Sequence, residues 1–480
     1  MHAWQERQQV QEPFGLWQRH QAVKIRVSAR TTVRRTCILV GLLAGVILNP
    51  RLSHAQYSAN FQTNIISGVT SNWTGSYFVG NTTFADVLLV QNGGVLSNFS
   101  SSVGRQISAS NNIALVTGDG SVWNSGTLYV GFSGSGNSLI ISNGGRVFSA
   151  ISVALYSGYV GHDAGTRSNR ILVTGPGSIW SNSTSAEAPF AGIVIGNGGT
   201  DHSMTIADGG EVFSAGAIVG LGSSSNNSVR VTGTSSLWNN TGTLDVGHFS
   251  NANSLVITNG GKVVCEAYPF RPSGCAVYGG TNNTASVVDS GVWQCNGTLS
   301  FGGCITGYGD GLSNSLSVAG GSVFASNLTV CCGNLVQLDA GSVILTNAST
   351  NATLDVRGKF VLNGGMLLVD RLVMTDGCAQ FIHTGGTIIA GSVVLDPNTF
   401  RIMSIVRQGN GMLVTWMMGP GITNTLQVTS GDTSGNYNTN GFVDIFVVTN
   451  NAMAGTVTNY LDTGAATNGA TRYYRARLIP

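Results

Sequence analysis

The chain has 480 residues, 42% of them apolar and only 9% charged, against a usual charged share of about 25%. That apolar content excludes a disordered chain. Of its 23 Lys/Arg and 21 Asp/Glu, 8 and 2 fall in residues 1–55. The remaining 15 basic and 19 acidic residues carry a net charge near −4, with no basic patch to hold nucleic acid.

Residues 1–55 read as an export signal. Lys24, Arg26, Arg30, Arg34 and Arg35 form a basic region, and residues 37–48, CILVGLLAGVIL, form an apolar core. Ser53-His54-Ala55 offers a small-x-small cleavage site before Gln56. An apolar run of 12 residues is too short to cross about 30 Å of hydrocarbon as a helix. The mature chain is therefore expected to be exported, with no transmembrane span.

From about residue 63 to 398 two units alternate. One is NSLIISNGGRVFSA at 137–150, repeated at 202–215, 253–266 and 314–326. The other is ALVTGDGSVWNSGTLYVG at 114–131, with counterparts at 171–182, 229–247 and 286–303. Copies follow one another at intervals of 20–33 residues, with constant strand-like segments and variable links, as loops on a fixed scaffold behave. Each copy holds three short period-two segments, such as 228–232, 236–238 and 243–246. This pattern predicts an all-β chain wound as a parallel β-helix of about 13 coils, each pairing with the next at about 4.8 Å.

The composition follows from such stacking. A charge repeated in every coil becomes a column of like charges, costing about 0.9 kcal/mol per pair even in water. Asn, Ser and Thr stack without that penalty and can hydrogen-bond along the column. Leu139, Ile141, Leu255, Ile257, Leu128, Val130, Leu244 and Val246 are expected to line a thin core. The pattern fades after residue 398. Residues 400–480 show separate strand candidates with polar turns, which suit a small β-sandwich. With Pro397 interrupting the ladder and no long linker after it, this domain is expected to pack on the last coil and shield its edge.

The alternating motifs TGxGSxW…GTLxVG and NSLxIxNGGxVxSA resemble the repeats of bacterial autotransporter passengers and PEP-CTERM-associated exported proteins. The match is close over residues 110–330 and looser over 330–398. It implies a right-handed β-helix on or outside the cell, usually with no assigned catalytic residues. The end of the chain, with Trp416, Thr425-Leu426-Gln427 and Tyr473-Tyr474-Arg475-Ala476-Arg477-Leu478, resembles the fibronectin-III-like terminal module of large exported proteins in Verrucomicrobia-type bacteria.

Parallel β-helices include pectate lyases and polygalacturonases, whose sites need clustered carboxylates. Here Asp119, Asp163, Asp208, Asp245, Asp289, Asp310 and Asp339 lie about one per coil, which reads as turn chemistry. Gly307-Tyr308-Gly309-Asp310-Gly311 stands alone as a glycine loop and reads as a turn too. No catalytic residue, metal ligand or cofactor is assigned.

Trp123, Trp180, Trp238 and Trp293 recur at spacings of 57, 58 and 55, with Phe148, Phe213, Val264 and Phe324 taken as the same coil position between them. They form either an outward ladder that stacks on sugar rings or a packed column that fixes register. Alternation with Val122 and Val147, placed inward, argues for the first, and the intervening Phe and Val residues for the second.

Seven cysteines follow the leader, six of them in three adjacent coils. In an exported chain they read as disulfides. Cys265–Cys295 is expected first, and Cys304 with Cys331 or Cys332 next. A local Cys265–Cys275 bridge closing residues 266–274 is the alternative to the first pair.

The expected function is an exported, non-enzymatic cell-surface or extracellular repeat protein acting as an adhesin, structural spacer or matrix component. Surface glycans or other extracellular macromolecules are the expected partners. A carbohydrate-binding β-helix is the alternative, ahead of a polysaccharide lyase or hydrolase.

Overall fold

A computed structural model describes residues 57–479, apart from 150–155, 183–191, 267–272, 278–279, 305–310, 396–400, 419–421, 433, 451–455 and 468–470. The expected leader, Asp310 and Pro397 lie outside the described residues. Among the described residues every regular element is a strand, and 31 strands between Thr63 and Leu395 share one sheet. Among the described residues no helix is long and apolar enough to cross a membrane.

Pairing is parallel throughout that sheet and joins equivalent segments of successive repeats. The first strand of each repeat shows it. Ile113–Thr117 pairs with Ser138–Ser142, which pairs with Arg170–Thr174, then Ser203–Ala207, Ser228–Thr232, Ser254–Thr258 and Thr284–Val288. The second and third strands of each repeat do the same, as in Leu237–Asn240 with Lys262–Glu266 and Leu244–His248 with Ser273–Val277. Within a strand, alternate residues point in. Leu139, Ile141, Leu255, Ile257, Leu128, Val130, Leu244 and Val246 are all fully buried, as expected.

The tryptophans correct the sequence alignment by one position. Trp123 is in register with Val147, not Phe148, and the column continues Trp180, Val212, Trp238, Val263, Trp293 and Val323. All four tryptophans are fully buried. Alternating Trp and Val fills a thin core to constant volume, whereas Trp on every level would overfill it. Phe148, Phe213 and Phe324 fall on the outer face, beside Asn124, Ser181, Asn239 and Gln294. The cause is turn length. Thr117 matches Ser142 and Val122 matches Arg146, so four residues cross the corner in one unit and three in the other. A slip of one residue exchanges the faces of a strand, which moves Val122 outward and leaves Val147 inside.

A second column is polar. Asp86, Asn112, Asn137, Asn169, His202, Asn227, Asn253, Asn283, Asn314 and Asn334 sit just before the first strands, all buried. From Asn112 to Asn334, each side chain accepts a hydrogen bond from the backbone N–H of the ladder residue one repeat earlier, at 2.9–3.2 Å. These bonds satisfy backbone donors at the bend where the strand ladder stops. The glycine of the VG motif makes room for them. A Cβ on Gly131, at φ +78°, would lie 2.1 Å from Asn169 Nδ2, and one on Gly220, at φ +82°, would lie 2.4 Å from Asn253 Cγ.

Past the repeats lie two three-stranded antiparallel sheets. One holds Arg401–Gln408, Gly411–Met418 and Thr456–Asp462; the other holds Val443–Thr449, Thr423–Ser430 and Arg472–Ile479. They share a small core of Val414, Trp416, Met418 and Leu426, with Trp416 Nε1 donating to Asn424 Oδ1 at 2.8 Å. Ile422 belongs instead to the core of the repeats, and Leu478 packs against that core. Both line a small cavity with Leu372, Phe381, Ile388 and Val393 of the last repeats. The end of the repeat core is therefore covered by these two residues.

Candidate functional site

The residues singled out for glycan stacking are in the interior. Trp123, Trp180 and Trp238 use their indole N–H groups inside as well, donating to Asn98 Oδ1, Ser149 Oγ and Ser214 Oγ. Each acceptor stands two residues beyond the in-register partner one repeat earlier. For Trp293 that position is Cys265, whose sulfur is a poor acceptor, and Trp293 Nε1 has no hydrogen-bond partner.

The cysteines divide. Cys304–Cys331 is a disulfide with Cα atoms 5.7 Å apart, one of the two pairings expected for Cys304. Cys332 joins Cys378, also at 5.7 Å, so two adjacent cysteines tie in opposite directions along the repeats. That second pair was missed because the unit around Cys378 keeps little of the repeat motif. Cys265 and Cys295 are in register. Cys265 lies in a disulfide, whereas Cys295 is a buried thiol, so the expected Cys265–Cys295 bridge is not the one made. The alternative with Cys275 concerns a side chain outside those described. Cys332, Cys378 and Asp376 place their ligand atoms within 4.8 Å of one another. The disulfide removes both thiolates, leaving one carboxylate and no metal-binding set.

The carboxylates serve local structure. Asp208 and Asp289 hold left-handed corners at φ 51° and 45°, the turn role that Asp tolerates. Asp339 accepts from Gln337 and Asn363, and Asp245 pairs with His248 at 3.1 Å.

Stacked aromatic side chains do reach the surface, on the third strands. Tyr129 lies between buried Leu128 and Val130, so alternation turns it outward, and Tyr159 is its in-register partner. Their rings stack at 4.9 Å with planes 8° apart. Just beyond the strands Phe132 and His162 stack at 4.5 Å. The Arg105 guanidinium sits 3.8 Å above the Phe132 ring, a contact worth about 0.5–2 kcal/mol. Asp163 accepts from Ser133 Oγ at 2.6 Å and meets His162 Nδ1 at 2.8 Å.

Burial raises the Tyr129 phenol above its ordinary pKa and pushes that of Tyr159 up to about 12, with help from Tyr129 and Tyr156. Both hydroxyls therefore stay protonated at neutral pH and can donate and accept. The cluster combines apolar rings, two phenols, a cation and a carboxylate on one surface. Its sequence signal was the variable residue of GTLxVG, Tyr129 in one copy and Asp245 in another. Searches for a repeated aromatic pass over such a position. Compared with family models, curated proteins and solved structures, the chain matches none.

Proposed function

We propose that residues 63–398 wind as a right-handed parallel β-helix of about 13 coils. Residues 400–480 then form a fibronectin-III-like sandwich, and the chain works as an exported, non-enzymatic scaffold at the cell surface or in the extracellular matrix. The observation that carries this is the pair of columns, polar ladder and Trp/Val core, that continue from repeat to repeat. They spend the sequence on a regular support, the economy expected of a spacer or adhesin stalk. The disulfides Cys304–Cys331 and Cys332–Cys378 favour an oxidising compartment. The repeats resemble those of autotransporter passengers and PEP-CTERM-associated exported proteins, which accords with this reading. Cell fractionation tests the proposal: the protein should be found on the surface or in the medium, with residues 1–55 removed. Retention in the cytoplasm with reduced cysteines would refute it.

A second reading is favoured by the Tyr129, Tyr159, Phe132, His162 and Arg105 cluster: carbohydrate recognition at this surface rather than through the tryptophans. Aromatic rings with flanking polar groups suit sugar rings, which present both C–H faces and hydroxyls. A glycan array comparing the wild type with Tyr159→Ala and Phe132→Ala should show hits that both variants lose. No hits for the wild type would dismiss it.

A further inference from the structure

We infer that His202 is an acid-sensitive rung of the polar ladder, whose protonation opens the stack locally between Asn169 and Asn227. Its neighbours in the ladder on both sides are asparagines, Asn137 and Asn169 before it and Asn227 and Asn253 after it. An amide cannot change charge over the physiological range, whereas an imidazole can.

The geometry assigns one protonation state. His202 Nδ1 accepts the backbone N–H of Asn169 at 3.2 Å, so it carries no proton. The proton is therefore on Nε2, which faces Thr166 Oγ1 at 3.2 Å, and that hydroxyl donates onward to the Asp163 carbonyl at 2.8 Å. All three bonds are satisfied only by the neutral ring. A second proton would turn Nδ1 into a donor aimed at the Asn169 N–H and place a charge in a fully buried site. The site is closed around the ring: a Cβ on Gly161 would lie 2.1 Å from Nε2.

The ionisable groups nearest by chain and ladder are Asp201 beside it and, on the preceding repeat, Asp163, whose carbonyl the Thr166 hydroxyl reaches, His162 next to it, and Arg167, paired with Thr200; the following repeat brings Ser225 and Asn227. Asp163 is engaged by His162 and Ser133, and Asp201 by Thr200. Burial dominates, holding the His202 pKa at about 4, against partial opposition from the Gly198 carbonyl, Asp201 and the Thr166 backbone. The folded-state pKa is thus below the unfolded value of about 6.5. The stability tied to the neutral ring is fully present above that value and is lost as pH falls toward 4.

The test is urea unfolding of the full chain from pH 7.5 to 4, for the wild type and His202→Asn, with limited cleavage by an acid-active protease at pH 4.5. The wild-type midpoint should drop between about pH 6.5 and 4, with first cleavages between residues 166 and 232. The variant, which restores an amide rung, should lose that part of the pH slope. Titrations elsewhere are common to both chains and cancel. Equal slopes, or first cleavages outside this region, overturn the inference. Should His202→Asn fail to fold, Asn227→His decides. A second imidazole in the ladder should steepen the slope, and an unchanged slope overturns the inference equally.

Discussion

Replacing Asn253 by Ala tests whether the polar ladder holds the stack together. Asn253 is fully buried. Its Oδ1 accepts two hydrogen bonds, from the Asn227 backbone N–H at 3.1 Å and from Asn227 Nδ2 at 2.9 Å. Its Nδ2 donates to Asn283 Oδ1 and Ser250 Oγ. Truncation strands the buried Asn227 N–H and leaves Asn227 Nδ2 with Ser224 Oγ alone, at 3.3 Å, so a loss of at least about 1–3 kcal/mol is expected. Gly220 gives an internal check. Gly220→Ala alone puts a methyl 2.4 Å from Asn253 Cγ at φ +82°. With Asn253→Ala present the clash with that side chain is gone, leaving the contact with Ser250 Oγ at 2.3 Å and a left-handed strain of about 1–2 kcal/mol. The double variant should therefore be less destabilised than the two singles added, by about 0.5–3 kcal/mol. Urea unfolding measures the total. Hydrogen exchange should place the loss in Ser228–Thr232 and Ser254–Thr258, because repeats contact only their neighbours. A cost for Asn253→Ala within about 0.5 kcal/mol of zero, as at an ordinary surface site, would refute this account of the ladder.

Trp180→Ala should cost about 3–5 kcal/mol as a buried large-to-small change, while Phe148→Ala, 37% exposed, should cost well under half of that; comparable unfolding midpoints would reverse the face assignment. Non-reducing peptide mapping should recover Cys304–Cys331 and Cys332–Cys378, and a Cys331–Cys378 peptide would contradict the connectivity. Deleting residues 400–480 uncovers Leu372, Phe381 and Ile388, so the shortened chain should stay folded and self-associate by sedimentation; a monomer at high concentration would mean those sheets do not protect the end.

The sequence alone determined the parts that depend on local periodicity. Alternation of Leu139 with Ile141 and of Leu255 with Ile257 marks strands with one face buried. The recurrence of NGG and TGxGS corners shows that equivalent strands exist to be paired. The scarcity of charge foretold stacked columns, since only uncharged residues tolerate repetition at one height. Repeat alignment also narrows the partner of Cys304 to Cys331 or Cys332, and the structure selects Cys331. What the sequence could not settle is register, because it depends on how many residues cross a corner. Four residues after Thr117 and three after Ser142 turn Trp123 inward and Phe148 outward, and linear alignment counts them as equals. The same limit hid the role of His202, which looks like an exception in the motif until its Nδ1 is found in the place of an amide oxygen. It hid the surface cluster as well. Tyr129, Phe132, Tyr159, His162 and Arg105 come from different repeats, and only parallel stacking brings their rings to within about one strand spacing of each other.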